Sequence, residues 1–365
     1  MTLTKRAALV LAATAVVLGF WHCTPVPLAP TLRGINIAGA EFGTEKRGFS
    51  ALSPGVHGVD YVYCSPSTLR YFSQQGMRLV RMPFRWERLQ RRAGGDLDPV
   101  ELARIVKFLD AAQANDCRVV LDMHNYGRYV TGESRYPNGR VVDADPTAFG
   151  AVTRDHLALL WLRLGGHVRN HPALEAYGLM NEPHDMGDSD WHAISQHVVD
   201  RLRMYEDTTT VWICGNEWSG GHSWTASNGP RAWIDDPLNL VVYEAHTYFD
   251  ADASGKYVEP FDAELARDPG LRTRGVDRLQ DFADWCDRNG VRGVIGEYGV
   301  PSTDKRWFPV MGAFLEEADR RGIGTYYWAA GDWWDAFPLS IQPRGGLEAP
   351  QLSHIRPTGS RREHP

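Results

Sequence analysis

The sequence predicts a single (β/α)8 barrel of the TIM type, with eight parallel strands that are each followed by a helix. Short apolar segments alternate with amphipathic ones along the 365 residues, which favours a parallel sheet covered by helices. Eight such segments in a chain of this length favour a closed barrel over an open sheet. The turns from helix to strand are short and the strand-to-helix loops are long, so the long loops are expected on one face.

The predicted strands read as nearly continuous apolar runs, as expected for parallel strands buried on both faces. In chain order they are Arg33–Ile37, Leu79–Pro83, Arg118–Met123, Leu174–Asn181, Thr210–Cys214, Leu240–Ala245, Gly293–Glu297 and Thr325–Trp328. Asn or Gly stands in several turns ahead of the strands, where either residue can adopt the left-handed conformation that ends a helix. These strands therefore account for the whole barrel.

Amphipathic helices are predicted between several of the strands, because apolar residues recur there at i, i+3, i+4 and i+7. The clearest stripes are Leu102, Ile105, Val106 and Leu109; Leu157, Leu160, Trp161 and Leu164; and Met311, Phe314, Leu315 and Ala318. We interpret the stripes as the helix faces that pack on the barrel.

The chain divides into a leader and spacer over residues 1–30, a barrel domain over 31–350 and a tail over 351–365. Lys5 and Arg6 precede an apolar run from Ala7 to Trp21, the pattern of an export signal, and a Pro-rich spacer follows. No small-x-small cleavage pattern follows the run, so an uncleaved inner-membrane anchor over residues 7–21 is the alternative. Either reading predicts export, to the periplasm or the extracellular space.

Composition excludes some classes of function. A net charge of -6 gives no electrostatic footprint for nucleic acid. The five cysteines show no C-x-x-C spacing, so a zinc site has little support, and disulfide pairing is left open. Thirteen Trp and fourteen Tyr exceed the needs of a core of this size and suit stacking on sugar rings. We expect a monomer with no protein partner.

Two carboxylates occupy similar local settings. Glu182 and Glu297 each end an apolar run, which places both at the carboxyl ends of strands, where barrel enzymes hold their chemistry. Either one alone could be a solvated or salt-bridged strand end. With Asn181 and Tyr298 beside them, the pair favours a site that uses two acids.

Polar side chains interrupt other strands. Arg81 stands where the second strand should be apolar, and a buried Arg needs a carboxylate partner. His124 and His246 follow the third and sixth strands. With Asp122 they could form a metal-dependent hydrolase site, but the first strand lacks a His-x-His pair and one carboxylate would have no role. We therefore predict no metal and no cofactor.

The ordered set of strand-end residues resembles glycoside hydrolase family 5, the retaining cellulase-type barrels, from about Arg33 to Pro343. The set is Arg33-Gly34-Ile35-Asn36, Arg81, His124-Asn125, Asn181-Glu182-Pro183, His246, Tyr248, Glu297 and Trp328. The phrases Ala38–Gly43, His124–Tyr129 and Trp328–Gly331 are most similar to the endo-β-1,4-glucanase branch. Thr247 stands where many of these cellulases carry Gln, which leaves the subsite preference open.

The resemblance implies endo-acting hydrolysis of β-1,4-glucan by double displacement. Glu297 would attack the anomeric carbon, while Glu182 would protonate the leaving oxygen and then activate water. Arg81 and Tyr248 would keep Glu297 ionised, and Glu182 would need a raised pKa.

The same resemblance implies the shell that binds substrate. Asn181 would bind the sugar 2-hydroxyl, and His124 and His246 would order the site. Trp328 would be the floor for the reacting sugar, and Asn125 would also contact the substrate. Five more tryptophans are candidates either for outer platforms or for core: Trp86, Trp218, Trp224, Trp333 and Trp334.

Two alternatives remain in the sequence. The same chemistry could act on mannan, xyloglucan, a mixed-linkage glucan or an exopolysaccharide of the host cell. A noncatalytic glycan-binding barrel is disfavoured because both acids are present.

Overall fold

The computed structural model describes residues 32–334 and 336–357, and within them it confirms the predicted barrel. Eight parallel strands form a closed ring in chain order, and the last strand pairs with the first. They are β1 (Arg33–Ile37), β2 (Leu79–Phe84), β3 (Arg118–Met123), β4 (Leu174–Gly178), β5 (Thr210–Cys214), β6 (Val241–His246), β7 (Arg292–Tyr298) and β8 (Gly324–Ala330). Because all eight strands are parallel, their carboxyl ends open on one face.

The helices cover the outside of this ring. They are α1 (Pro66–Gln74), α2 (Trp86–Leu89), α3 (Pro99–Ala114), α4 (Arg154–Val168), α5 (Trp191–Met204), α6 (Trp224–Asn228), α7 (Phe261–Arg267), α8 (Arg274–Asn289), α9 (Trp307–Arg320) and α10 (Leu352–Ile355). The predicted apolar stripes lie on α3, α4 and α9. Their residues are buried, except that Leu102 and Val106 are only partly buried against the core.

The inside of the barrel changes character along the strands. Inward and outward side chains alternate on a strand, so every second residue points to the axis. On β3 and β6 the inward positions pass from Val120 and Val242, in a small apolar cluster, to Asp122 and Glu244. All four side chains are buried. The interior is thus apolar toward the amino ends of the strands and ionic just below the open face.

The end of β4 differs from the prediction. The regular ladder stops at Gly178 instead of continuing to Asn181. Beyond the ladder, Leu179 N still donates to Trp212 O at 3.1 Å and Asn181 N to Met123 O at 2.7 Å. Glu182 therefore lies in the loop beyond the strand, free of the constraints of the sheet.

The folded region also extends past the predicted boundary at residue 350. Leu352 and Ile355 on α10 are fully buried, and α10 packs against α9. The Gln351 amide donates to Val300 O and Pro338 O, both at 3.2 Å. Two apolar residues in one helical turn are too weak a pattern to predict a helix, which is why the sequence suggested a tail.

The predicted export signal and spacer, residues 1–30, lie outside the described residues, as does the end of the tail from 358. Among the residues that the structure does describe, no helix combines the length and the apolar character needed to cross a membrane. Four cysteines lie in this part of the chain as free thiols: Cys64, Cys117, Cys214 and Cys286.

Candidate active site

The ionic layer is centred on the guanidinium of Arg81, which is fully buried on β2. Its nitrogen atoms lie 3.1 Å from Asp122 Oδ1, 2.7 Å from Glu244 Oε1 and 3.1 Å from Glu297 Oε1. The expectation of a carboxylate partner for Arg81 is confirmed, and the structure shows three. They come from β3, β6 and β7, so one cation joins strands on opposite sides of the barrel.

Gly296, next to Glu297, makes room for this layer. A Cβ atom at position 296 would overlap the Glu244 carboxylate oxygen that contacts Arg81. Gly296 O accepts a hydrogen bond from Asn36 Nδ2 at 2.8 Å, and Asn36 Oδ1 accepts one from Arg81 at 2.9 Å. The glycine therefore lets a side chain from β6 pass beneath the end of β7.

Burial affects the two inner carboxylates differently. It raises the pKa of Asp122, and the nearby Arg81 guanidinium offsets this only in part. Burial also disfavours the ionised form of Glu244, but Arg81 and His246 outweigh it and hold the pKa of Glu244 below its ordinary value. Glu244 is thus the stable counter-ion of the layer.

Both oxygens of Glu297 accept hydrogen bonds. Oε1 accepts from Arg81 Nη1 at 3.1 Å and Oε2 from the Tyr248 hydroxyl at 2.9 Å. These contacts favour the carboxylate, as the resemblance implied. Burial nevertheless raises the pKa of Glu297, with His246 and Arg81 opposing it. The two contacts alone would lower the pKa of Glu297. The pKa is raised overall because the side chain is almost wholly buried.

Glu182 and His246 form the second half of the site. Glu182 has a left-handed φ of 42° and a side chain that is 17% exposed. His246 Nδ1 lies 2.6 Å from Glu182 Oε1, and Nε2 lies 3.3 Å from Glu244 Oε1. Burial disfavours a charged His246, but Glu297 and the two hydrogen-bonded carboxylates outweigh it and raise the pKa of His246 well above its usual value. An imidazolium can donate to both neighbours at once.

The distance between the two glutamates limits their chemistry. One oxygen of Glu182 and one of Glu297 lie within 4.8 Å of each other, and a His246 nitrogen lies within that distance of both. Carboxyl groups about 5 to 5.5 Å apart allow direct attack by one of them, whereas inverting enzymes need roughly 6.5 to 9.5 Å for an intervening water. The arrangement suits a covalent, retaining reaction.

A chain of hydrogen bonds orients the Asn181 amide. Burial lowers the pKa of His124 to about 3, so its ring is neutral. Its Nδ1 lies 2.8 Å from Asp122 Oδ2 and its Nε2 lies 3.3 Å from Asn181 Nδ2. With the ring proton on Nδ1, Nε2 accepts from the amide, while Asn181 Oδ1 accepts from Arg81 at 2.6 Å. Held at both ends, the amide keeps one N–H for a ligand.

The structure brings the other predicted site residues into this network, with one exception. The Trp328 ring stacks on His124 with 5.5 Å between centroids and 15° between planes. Asn125 is the exception, because Trp86 N donates to its Oδ1 and its Nδ2 donates to Glu87 and to Arg128 O. Its amide holds the loop after β3, and a contact of Asn125 with substrate stays a prediction.

The five outer tryptophans divide between core and surface. Trp86 and Trp224 are fully buried and belong to the core, and Trp333 and Trp334 are half-buried. Trp218 is 46% exposed. Its ring stacks on His184 with 4.3 Å between centroids and 12° between planes, and its backbone N donates to Pro183 O at 3.3 Å. Trp218 thus lies beside the loop that carries Glu182.

Two cavities adjoin the carboxylates. The acid-side cavity, about 560 Å³, lies over β4 to β6 and is lined by Glu182, Trp218 and His222 among others. The side cavity, about 540 Å³, lies over β6 to β8 and is lined in part by Thr303 and Trp328. Tyr248, Ser254 and Lys256 line both cavities. The loop after β6 therefore separates them.

Sequence reasoning missed the role of Glu244. A signal was available, because Glu244 precedes His246 by two residues just as Asp122 precedes His124. Residues two apart on a strand share a face, so both acids had to lie below their histidines.

Two groups of side chains in the described part of the chain have donor atoms close enough to share a cation: Glu182, His246 and Glu297, and Cys214, Glu244 and His246. His246 belongs to both groups. Both of its nitrogen atoms donate N–H groups to carboxylates, so neither is free to bind a cation. The positive charge of Arg81 beside these carboxylates also opposes a bound cation.

Comparison with known proteins agrees with this geometry. A family model described as Cellulase (glycosyl hydrolase family 5) matches residues 36–334. The chain belongs to glycosyl hydrolase family 5. It is therefore a glycoside hydrolase, and the family resemblance read from the strand ends is confirmed.

Proteins named as endoglucanases match nearly the whole barrel. Endo-beta-1,4-glucanase B of Aspergillus niger is 29% identical over 316 residues, which cover 86% of this chain and 85% of that protein. The structure of endoglucanase Cel5A of Pseudomonas stutzeri in complex with cellobiose is 34% identical, with a TM-score of 0.77 over 89% of this chain and 91% of that one. XacCel5A in complex with cellopentaose is 29% identical, with a TM-score of 0.78 over 90% and 98%.

One further buried acid lies near the site of this family 5 chain. Glu41, in the loop after β1, accepts a hydrogen bond from Gly39 N at 2.7 Å through Oε2, while its Oε1 has no partner among the described residues. Burial raises the pKa of Glu41 to about 8, although the backbone hydrogen bonds and Arg88 oppose it. The folded protein thus keeps a proton that the unfolded chain releases near pH 4.3.

Replacing Glu41 by Gln should flatten the pH dependence of stability. Between pH 5 and pH 8 the folded state binds more protons than the unfolded state at this position, so the free energy of unfolding falls as pH rises, by on the order of 1 kcal/mol per pH unit. Urea denaturation at several pH values should show a steeper fall in the wild type than in Glu41→Gln, because the raised pKa values of Asp122 and His246 contribute equally to both. The exposed Glu45→Gln is the matched control. Parallel pH profiles for wild type and Glu41→Gln would contradict the assignment.

Proposed function

We propose that the protein is an endo-acting β-1,4-glucanase that retains the configuration of the sugar, with Glu297 as nucleophile and Glu182 as acid and base. The separation of these two carboxylates, with one oxygen of each within 4.8 Å, carries the proposal. The relatives named as endoglucanases, and the neighbours that hold cellobiose or cellopentaose, support the choice of substrate.

In the first step Glu297 attacks the anomeric carbon and forms a covalent bond to the sugar. The bond to the leaving oxygen breaks, and Glu182 gives that oxygen its proton. Arg81 and the Tyr248 hydroxyl position Glu297 through its two oxygens. Glu182 becomes a carboxylate beside the His246 imidazolium, which stabilises the new charge.

In the second step Glu182 takes a proton from water, and the water oxygen attacks the same carbon. The ester bond to Glu297 breaks and the β sugar leaves. The remaining Asn181 N–H binds the sugar 2-hydroxyl, a contact that strengthens in the transition state. Trp328 is the apolar floor under the sugar, because it lies flat on His124 and is only half-buried.

Replacement of either acid tests these roles. Glu297→Gln should abolish turnover of every glycoside, because no group is left to form the covalent bond. Glu182→Ala should lower turnover of cello-oligosaccharides by about 10²- to 10⁴-fold. The same variant should still form the glycosyl-enzyme from a dinitrophenyl cellobioside, whose leaving group needs no proton, and azide should then accelerate release as the β-azide.

Glu175→Gln, on β4 with Glu175 paired to Arg118, is the matched control and should keep wild-type rates. Proton NMR of fresh hydrolysate follows the stereochemistry. An α product would contradict the retaining mechanism, whatever the rates. Product analysis on mannan, xyloglucan and mixed-linkage glucan separates the substrate alternatives.

Trp218 is proposed as a platform for a sugar on the leaving-group side, because it lines the cavity that contains Glu182. Trp218→Ala should lower kcat/KM for cellopentaose by up to about tenfold, the value of a lost aromatic stacking contact. Hydrolysis of β-cellobiosyl fluoride should stay unchanged, since its single-atom leaving group cannot reach the ring. Trp218→Phe should keep most of the activity. An equal loss on the fluoride would mean that Trp218 acts on the position of Glu182 instead.

Export and a monomeric state are also part of the proposal. The pattern Lys5-Arg6 followed by Ala7–Trp21 supports transfer across the inner membrane. Fractionation of native cells should find the barrel outside the cytoplasm, and size-exclusion chromatography should give the mass of one chain. Activity confined to the cytoplasm would contradict export.

A further inference from the structure

The mechanism proposed for an unbranched chain assigns no sugar to the side cavity. It lies over β6 to β8 and opens beside two residues of the proposed mechanism. Trp328 is the floor under the reacting sugar, and Tyr248 positions Glu297. Its volume of about 540 Å³ falls in the range of roughly 300–1,000 Å³ typical of small-molecule pockets. The cavity is therefore large enough for a bound group and adjoins the point of cleavage.

The order of the strands fixes the path of a linear glucan. The acid-side cavity lies over β4 to β6, centred on β5, and it receives the leaving group because Glu182 is there. In a ring of eight strands in chain order, the strand opposite β5 is β1. A chain that crosses the nucleophile from β5 leaves toward β1. The side cavity, centred on β7, lies a quarter-turn away from that path.

The chemistry of the sugar ring then assigns its edges. In a β-1,4 chain, C1 points to the leaving group and C4 to the rest of the chain, so C2 and C3 form one lateral edge and the ring oxygen with C5 and C6 form the other. Asn181, proposed to bind the 2-hydroxyl, follows β4, and its partners Arg81 and His124 lie on β2 and after β3. The opposite edge, which carries C6, faces β7 and the side cavity.

We propose that the side cavity is a subsite for a single sugar attached to O6 of the glucose that Glu297 attacks. This inference rests on the proposed function and narrows its substrate class to β-1,4-glucans that bear short branches at O6. Cleavage then takes place at branched glucose units as well as at unbranched ones.

The lining suits a sugar. Phe337 presents a half-buried ring surface, on which the apolar face of a pyranose can stack, and Trp328 forms the boundary with the reacting sugar. Lys256 and Thr303 are exposed at the rim and supply hydrogen-bonding groups. Pro301 and Leu339 are buried between them. Aromatic walls with a few polar groups at the opening are typical of pockets that bind small ligands.

Product analysis of the intact enzyme tests the proposal directly. Xyloglucan, a β-1,4-glucan with xylosyl groups on O6 of many glucose units, is digested, and the new reducing ends are reduced and identified by mass spectrometry and NMR. We expect products whose reducing-end glucose carries a xylosyl group. Products that end only in unsubstituted glucose, or a failure to cleave xyloglucan while cellohexaose is cleaved, would overturn the inference and leave the proposed function standing.

Filling the cavity is the second arm. Thr303→Trp should lower kcat/KM for xyloglucan at least tenfold and confine the remaining cuts to unsubstituted glucose, while cellohexaose changes less than twofold. Thr303→Ser is the matched control and should behave as wild type. Equal losses on both substrates in a folded Thr303→Trp would count against the subsite. If the wild type cleaves xyloglucan at branched units but not cellohexaose, the inference holds and the proposed activity on unbranched β-1,4-glucan fails.

Discussion

The structure depends on one buried cation. Arg81 is surrounded by Asp122, Glu244 and Glu297, and none of the four side chains is appreciably exposed. Charges in an interior cost several kcal/mol each in lost hydration unless partners and hydrogen bonds replace the water. The three carboxylates reach Arg81 only when β2, β3, β6 and β7 pair in the correct register. The same requirement fixes the position of Glu297, so the position of the proposed nucleophile follows from folding.

The two acids differ because the fold holds them differently. Glu297 lies on β7, one residue before its end, and has both oxygens held by hydrogen bonds. Glu182 lies beyond the end of β4 on backbone in a left-handed conformation and is partly exposed. His246 connects them, since its ring contacts Glu182 and lies 3.8 Å from Glu297. A fixed carboxylate suits attack on carbon, and a wetter one suits exchange of protons with water.

The sequence predicted what local pattern determines. Strands buried on both faces are continuous apolar runs, so all eight were found, and the ordered strand-end motif located the acids. The rest depends on packing between distant loops. No local pattern shows that Glu87 and Arg128 use the Asn125 amide, or that Trp224 is core while Trp218 is exposed. Nor does one show that Oε1 of Glu41 has no partner among the described residues. The side cavity is likewise formed by the loops after β6, β7 and β8 together.

The absence of a side chain at Gly296 has a consequence for how such a site can change. Glu244 occupies the space that a Cβ would need, and Arg81 requires that carboxylate. Changing the glycine alone displaces the acid, and removing the acid alone leaves the guanidinium short of one counter-charge. In laboratory evolution that varies one position at a time, every single change in this group would therefore disturb the buried ion pairs. Only a simultaneous replacement of Gly296, Glu244 and Arg81 would avoid this disturbance. Libraries for new specificity should therefore vary the surrounding loops.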